Sequence, residues 1–121
     1  MIATIENLRE CTAQDIFNTI AAHLLKQNKA SKEGLRTRYK NDQGLKCAAG
    51  CLIPDHLYNP KIEGLNWNYL VQRGTVPGDH FLLIRALQHF HDSVPAEDWL
   101  RKIGFIAADW ELVFRYDVLV A

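Results

Sequence analysis

The pattern of apolar and polar positions divides the chain into a helical start, an extended middle and a helical remainder. Between Thr12 and Asn28, the residues Ile16, Phe17, Ile20, Ala21, Leu24 and Leu25 recur at the spacing of one helical stripe. Thr12 suits the N-cap, and Asp15, three residues on, can reach back to complete a capping box. Lys26 and Lys29 suit the negative C-terminal end of such a helix.

The next stretch reads as extended. Arg36-Thr37-Arg38-Tyr39-Lys40 is polar and tolerates β structure, Asn41-Asp42-Gln43-Gly44 is turn chemistry, and Leu45 to Ile53 follows as a largely uncharged run. Two such runs around a four-residue turn predict a β-hairpin. Gly50 inside the second run predicts a bulge or a close backbone approach. Pro54 ends the run, and Asp55 to Gly64 reads as irregular.

Helical spacing then returns. A short helix over Leu65 to Arg73 is expected to pack Leu65, Tyr69 and Leu70 and to close at Gly74. Asp79 is expected to cap a helix reaching about Asp92, with Leu83, Ile84, Leu87, Phe90 and His91 on one side. Ser93 and Pro95 open a last helix with Trp99, Leu100, Ile103, Ile106, Ala107 and Trp110 as its core face. The tail from Leu112 to Val120 fits a strand or a docked extension. The sum is one small α+β domain spanning 1–121, a β-hairpin packed against three to four helices. A two-stranded sheet is marginal alone, so helices must cover a face.

Composition narrows the classes. A chain of 121 residues with 48% hydrophobic and 23% charged residues fits a single globular domain. Fourteen basic residues balance fourteen acidic ones, so the phosphate-neutralising surplus of a nucleic-acid protein is missing. No run of 18 apolar residues argues for a membrane span, and Met1 to Glu10 lacks the apolar core of a signal peptide. Three cysteines, Cys11, Cys47 and Cys51, argue for reduced thiols. The expectation is a cytoplasmic protein with no cofactor-binding pattern.

Charge is unevenly spread. Lys26 to Lys46 holds seven basic residues against two acidic ones, a balance of plus five. Asp92 to Asp117 holds three basic against six acidic, a balance of minus three. Such a dipole suits an acidic protein partner at the basic end, although solvation alone also collects charge in loops.

Chemistry concentrates around Gly44-Leu45-Lys46-Cys47-Ala48-Ala49-Gly50-Cys51-Leu52-Ile53-Pro54-Asp55. In a strand, Cys47 and Cys51 would stand roughly 13 Å apart, too far for a disulfide or one zinc ion. In a helix they would approach, with His56, His80, His89 or His91 as further ligands. Cys-x3-Cys without a second pair is a weak zinc pattern, and no metal site is assigned. A thiol nucleophile is the stronger catalytic candidate. Cys47 would need an imidazole such as His80 or His91, with Asp92 or Asp55 to orient it. His23 and His91 lie on apolar stripes, where a histidine is more often a satisfied core residue. His91-Asp92 also occurs in metal phosphohydrolases, where His56 or His80 and Asp109 or Asp117 would complete the set.

Binding candidates come from aromatic and cationic residues. Tyr58 and Trp67 fall in the irregular region and are expected to be exposed, whereas Trp99 and Trp110 fit a core. Arg36, Arg38 and Tyr39 mix cations with an aromatic ring, which also suits single-stranded nucleic acid, though the neutral overall charge argues against it.

Tyr39, Gly44, Lys46-Cys47-Ala48, Gly50, Leu52-Ile53-Pro54-Asp55, Tyr58 and Glu63-Gly64 stand in an order that resembles a family of small, uncharacterised bacterial and phage proteins. Leu87-Gln88 and His91-Asp92, ahead of Trp99, extend the likeness, which spans roughly Ile16 to Trp110. His56 and Lys61 stand where that family would carry acidic residues. The resemblance implies a bacterial host cytoplasm and a mobile-element setting, with no attached activity. With the small size, it implies an accessory protein acting by stoichiometric protein binding, for example inhibition of a host defence or host enzyme. The alternative is a cysteine-dependent hydrolase or transferase using Cys47 with a histidine.

Overall fold

A computed structural model describes residues 1–120. The first long helix, α1 (Ala13–Gln27), starts at the expected box. Thr12 Oγ1 accepts from the Asp15 N–H at 3.1 Å, and the Asp15 carboxylate accepts from the Thr12 N–H at 2.9 Å. It ends at Asn28, which takes the left-handed conformation (φ 54°). Its stripe of Ile16, Phe17, Ile20, Ala21 and Leu24 is fully buried.

The sheet is smaller than the sequence predicts and shifted toward the N-terminus. Strands β1 (Lys32–Glu33) and β2 (Arg36–Thr37) pair antiparallel, Lys32 with Thr37 and Glu33 with Arg36, around Gly34 and Leu35. Gly34 carries a φ of 61° in this tight turn. The expected turn at Asn41–Gly44 also forms. Gly44 has a φ of 81°, and the Asn41 side-chain oxygen accepts from the Gln43 and Leu45 N–H groups. A single antiparallel bridge, Lys40 to Lys46, is all that follows it.

Leu45 to Ile53 is therefore not a strand. The Cys51 N–H bonds to the Cys47 carbonyl at 3.0 Å, and Gly50–Leu52 closes a turn of 3-10 helix. Alanine and glycine at 48, 49 and 50 give a strand little to pack with. The Ala49 N–H is captured instead by the Gln88 side chain at 2.8 Å. Gly50 does mark a close approach, since its Cα lies against the Tyr39 carbonyl. Two more 3-10 turns, Asp55–Leu57 and Pro60–Ile62, order the segment expected to be irregular.

Three helices complete the core. Helix α2 (Trp67–Gln72) is capped by the Asn66 side chain and buries Trp67 and Leu70, leaving Tyr69 exposed. Helix α3 (Phe81–Ser93) has His80 at its N-cap position with a φ of 60° and no side-chain capping bond, so the cap expected from Asp79 does not form. After Pro95 and a 3-10 turn, α4 (Trp99–Asp109) buries Trp99, Ile103 and Ala107. Of the expected core face, Leu100 is exposed and Trp110 lies past the helix end at 37% exposure. The tail forms a short helix, α5 (Tyr116–Leu119), in place of a strand. Gln14 holds the approach to it with two bonds to the Val113 backbone, and Phe114 packs edge-on against Phe17 at 6.2 Å. The molecule is a small α+β domain in which α1, α3 and α4 surround the apolar centre. No helix among the described residues is long and apolar enough to cross a membrane.

Candidate functional site

One cleft of about 700 Å³ opens between β2, the segment leading into α2, and the C-terminal end of α3. That volume lies within the range of small-molecule and peptide-side-chain sites, roughly 300–1,000 Å³. Arg36, Arg38, Tyr39 and Trp67 line it, and so do Cys47 and Asp92. Residues read separately along the sequence thus meet around one opening.

Glu63 organises one wall. Its carboxylate accepts from the Tyr39 N–H at 2.8 Å, the Lys40 N–H at 3.1 Å and the Tyr58 hydroxyl at 2.6 Å. Arg38 Nε stands 3.3 Å from Glu63 Oε1, an ion pair whose N–H is not aligned for a hydrogen bond. Tyr58 is consequently half-buried and engaged with Glu63, where exposure was expected. Tyr39 is 8% exposed, donates its hydroxyl to the Leu65 carbonyl at 2.6 Å and has its pKa raised by burial. Trp67, also expected on the surface, is 5% exposed, with its ring centroid 6.2 Å from that of Tyr39. Its place at the first position of α2 folds it inward. Arg36 remains exposed and forms no ion pair among the described residues.

The opposite wall is a hydrogen-bond relay. Asp92 Oδ1 accepts from the Thr37 hydroxyl at 2.8 Å and the Gln88 amide at 2.9 Å, and it lies 2.8 Å from His91 Nδ1. The buried His91 ring accepts at Nε2 from the Ser31 N–H at 3.0 Å. Accepting there requires Nε2 to be bare, so the proton sits on Nδ1 and is donated to Asp92. Burial pushes the Asp92 carboxyl up. The bonds from His91, Thr37 and Gln88 outweigh it, and the group titrates below the usual carboxylate range. His91 is thus a satisfied core histidine packed at a tilt against Trp99, ring centroids 5.6 Å apart, and His23 is another, bonded through Nε2 to the Lys46 carbonyl at 2.8 Å.

Cys47 forms part of the floor at 1% exposure, with the Gly50 N–H directed at its sulfur at 3.3 Å. Burial pushes its thiol up to about 12. No imidazole hydrogen-bonds to that sulfur among the described residues. His80 lies at the other end of α3, roughly 18 Å from Asp92 along the helix axis, bonded to the Cys11 carbonyl at 2.8 Å. The cleft therefore gathers Cys47 and Asp92, with His91 buried behind Asp92 and His80 remote from it. All three cysteines are free, and no group of three or more His, Cys, Asp or Glu among the described residues could hold a metal ion.

Glu63 and Gln88 carry roles that residue type alone did not reveal. The order Tyr39…Glu63-Gly64 and the pair Leu87-Gln88 were visible as motif positions. The bonds from Glu63 to Tyr39 and from Gln88 to Ala49 give those positions a physical reason. Asp55 is a further case. It bridges Lys46 at 2.9 Å and Lys40 at 3.2 Å, clasping the two ends of the Asn41–Gly44 turn. The chain matches no family model, no curated protein and no solved structure.

Proposed function

We propose that the protein acts by binding a segment of a partner protein in this cleft, in keeping with a small accessory or inhibitory protein of a phage or mobile element. The supporting observation is the convergence of Arg36, Arg38, Tyr39 and Trp67 on one open cleft. Arginine side chains often anchor protein interfaces, and the buried Tyr39 and Trp67 give the cleft a firm wall. Arg36 forms no ion pair among the described residues, with Glu33 opposite it across the strands, and an acidic side chain of the partner would complement it. Lys26, Lys29 and Lys32 are also exposed and add to the positive charge of the segment leading into β2.

Arg36→Glu tests this reading. Capture of partner proteins on the immobilised full chain should weaken, and by more at low salt than at high salt. Arg38→Glu should act in the same direction, with circular dichroism used to confirm that repulsion from Glu63 has not unfolded it. Capture that ignores both charge reversal and salt would remove the electrostatic version of this reading.

The thiol-enzyme alternative has one observation in its favour, the presence of Cys47 and Asp92 around the same cleft. The raised thiol and the lack of an imidazole partner weigh against it. Binding is the better supported of the two.

A further inference from the structure

We propose that Asp92 is the receptor in this cleft for a basic side chain, the guanidinium or ammonium group of the docked segment. The inference rests on the binding reading above and specifies its ligand: a peptide segment carrying opposite charges within a few residues, acidic toward Arg36 and basic toward Asp92.

The carboxylate is built for such a contact. Three donors converge on Oδ1, while Oδ2 accepts no hydrogen bond among the described residues. No lysine or arginine pairs with it there. His91 meets the carboxylate through Nδ1, and its Nε2 is taken up by the Ser31 N–H. Thr37, Gln88 and His91 fix the carboxylate, so a ligand would meet an acceptor already in place. The side chain is 41% exposed. That leaves it reachable yet partly removed from water, where an ion pair is stronger than at an open surface.

The other carboxylates of the cleft are placed differently. Glu63 takes three donors and the Arg38 pair, and Glu33 accepts from the Asp42 N–H at 2.9 Å and stands across the strand pair from Arg36. Asp92 is the carboxylate that three side-chain donors fix on one oxygen with no lysine or arginine in ion-pair reach. A second observation points to a peptide. Two buried side-chain polar atoms lack a hydrogen-bond partner, Arg38 Nε and Trp67 Nε1, and both belong to residues that line this cleft. Both are donors, and Trp67 is 5% exposed. Buried donors without acceptors are rare and call for a partner. Arg38 Nε already faces Glu63, so the unmet donor is the Trp67 indole N–H, and a peptide carbonyl against this wall is an acceptor it lacks.

Nitrogen-15 NMR titration of the full chain separates the possibilities, with N-acetyl-arginine amide, N-acetyl-glutamate amide and the neutral N-acetyl-glutamine amide as probes. The arginine derivative should move the Gln88 side-chain amide and the Trp67 indole signals saturably, and more strongly than the glutamine derivative does. Asp92→Asn should weaken that binding by about tenfold, the scale of one charge-assisted hydrogen bond. The proposal is overturned if the arginine and glutamine derivatives bind alike, or if a folded Asp92→Asn binds arginine as the wild type does. Should that variant fail to fold, the comparison of probes on the wild-type chain decides alone. If the glutamate derivative moves the Arg36 and Arg38 signals while the arginine derivative moves none, the Asp92 assignment fails and the binding cleft stands. If no probe moves any cleft signal, both fail.

Discussion

The Tyr39 carbonyl oxygen occupies the space where a side chain at position 50 would begin: a Cβ built on Gly50 would meet it at 2.1 Å. The obstacle is backbone, which cannot rotate away as a side-chain tip would. Gly50 therefore lets the turn of Cys47 to Leu52 press against the segment that carries Tyr39 into the cleft. Gly50→Ala should destabilise the fold by about 3 kcal/mol, at the upper end of ordinary overpacking costs. Gly34→Ala is the contrast. Nothing lies within 4 Å of its Cβ, and only its φ of +61° opposes the change, so its cost should be about 1 kcal/mol. Urea denaturation of both variants checks the order, and equal midpoints would refute it.

Glu63 should be the most sensitive polar position around the cleft. Glu63→Ala strands the Tyr39 and Lys40 N–H groups and the Tyr58 hydroxyl at once. Each buried donor left unpaired costs about 1–3 kcal/mol, reduced where water can reach it. A total loss of about 3 kcal/mol is expected in chemical denaturation. Glu63→Gln keeps one carbonyl acceptor and should lose less. A Glu63→Ala variant as stable as the wild type would mean that these bonds form equally well to water.

Cys47 gives a chemical prediction. A thiol titrating near 12 leaves about one molecule in ten thousand as thiolate at pH 8. Iodoacetamide should therefore leave Cys47 unmodified in the folded protein and alkylate it once urea unfolds the chain. Mass spectrometry of the labelled peptides reads this directly. Rapid labelling of Cys47 in the native state would restore the thiol-enzyme alternative. Cys47→Ala removes a buried sulfur and should cost about 1–2 kcal/mol of stability.

How far these features could be read in the sequence depends on how local their causes are. Helix α1 was legible because its stripe and its Thr12–Asp15 box lie within the helix and its cap. The strand expected over Leu45 to Ile53 failed for the opposite reason. An uncharged run is extended or coiled according to what takes its N–H groups, and for Ala49 that group is Gln88, 39 residues away. Trp67 and Tyr58 were expected outside because their neighbours are polar and irregular. Their burial follows from Glu63 and Leu65 receiving bonds from Tyr39, a contact across more than twenty residues. The residue types of the site were visible, as was the His91-Asp92 pair. Their convergence with Arg36, Arg38 and Tyr39 was not, because it depends on α3 packing beside β2 and on the bond from Thr37 to Asp92.

His23 sets the expected response to mild acid. Burial, with the Lys46 charge adding to it, holds its pKa below the ordinary value, against the opposing hydrogen bond to the Lys46 carbonyl. In the unfolded chain the ring takes a proton near pH 6.5, about its usual value. The folded protein resists that proton until a lower pH. Across the interval the unfolded state binds more protons, so stability falls as pH falls from about 6.5 toward the folded pKa. Asp92 and Asp55, both held below the usual carboxylate range, add a second loss at lower pH. That loss is absent above the unfolded carboxylate pKa of about 3.9 and develops as pH drops through the folded values. Thermal melts should thus show two descending steps on acidification. His23→Gln keeps an N–H for the Lys46 carbonyl but cannot titrate, and it should remove the upper step alone. If the variant retains that step unchanged, His23 is not its source.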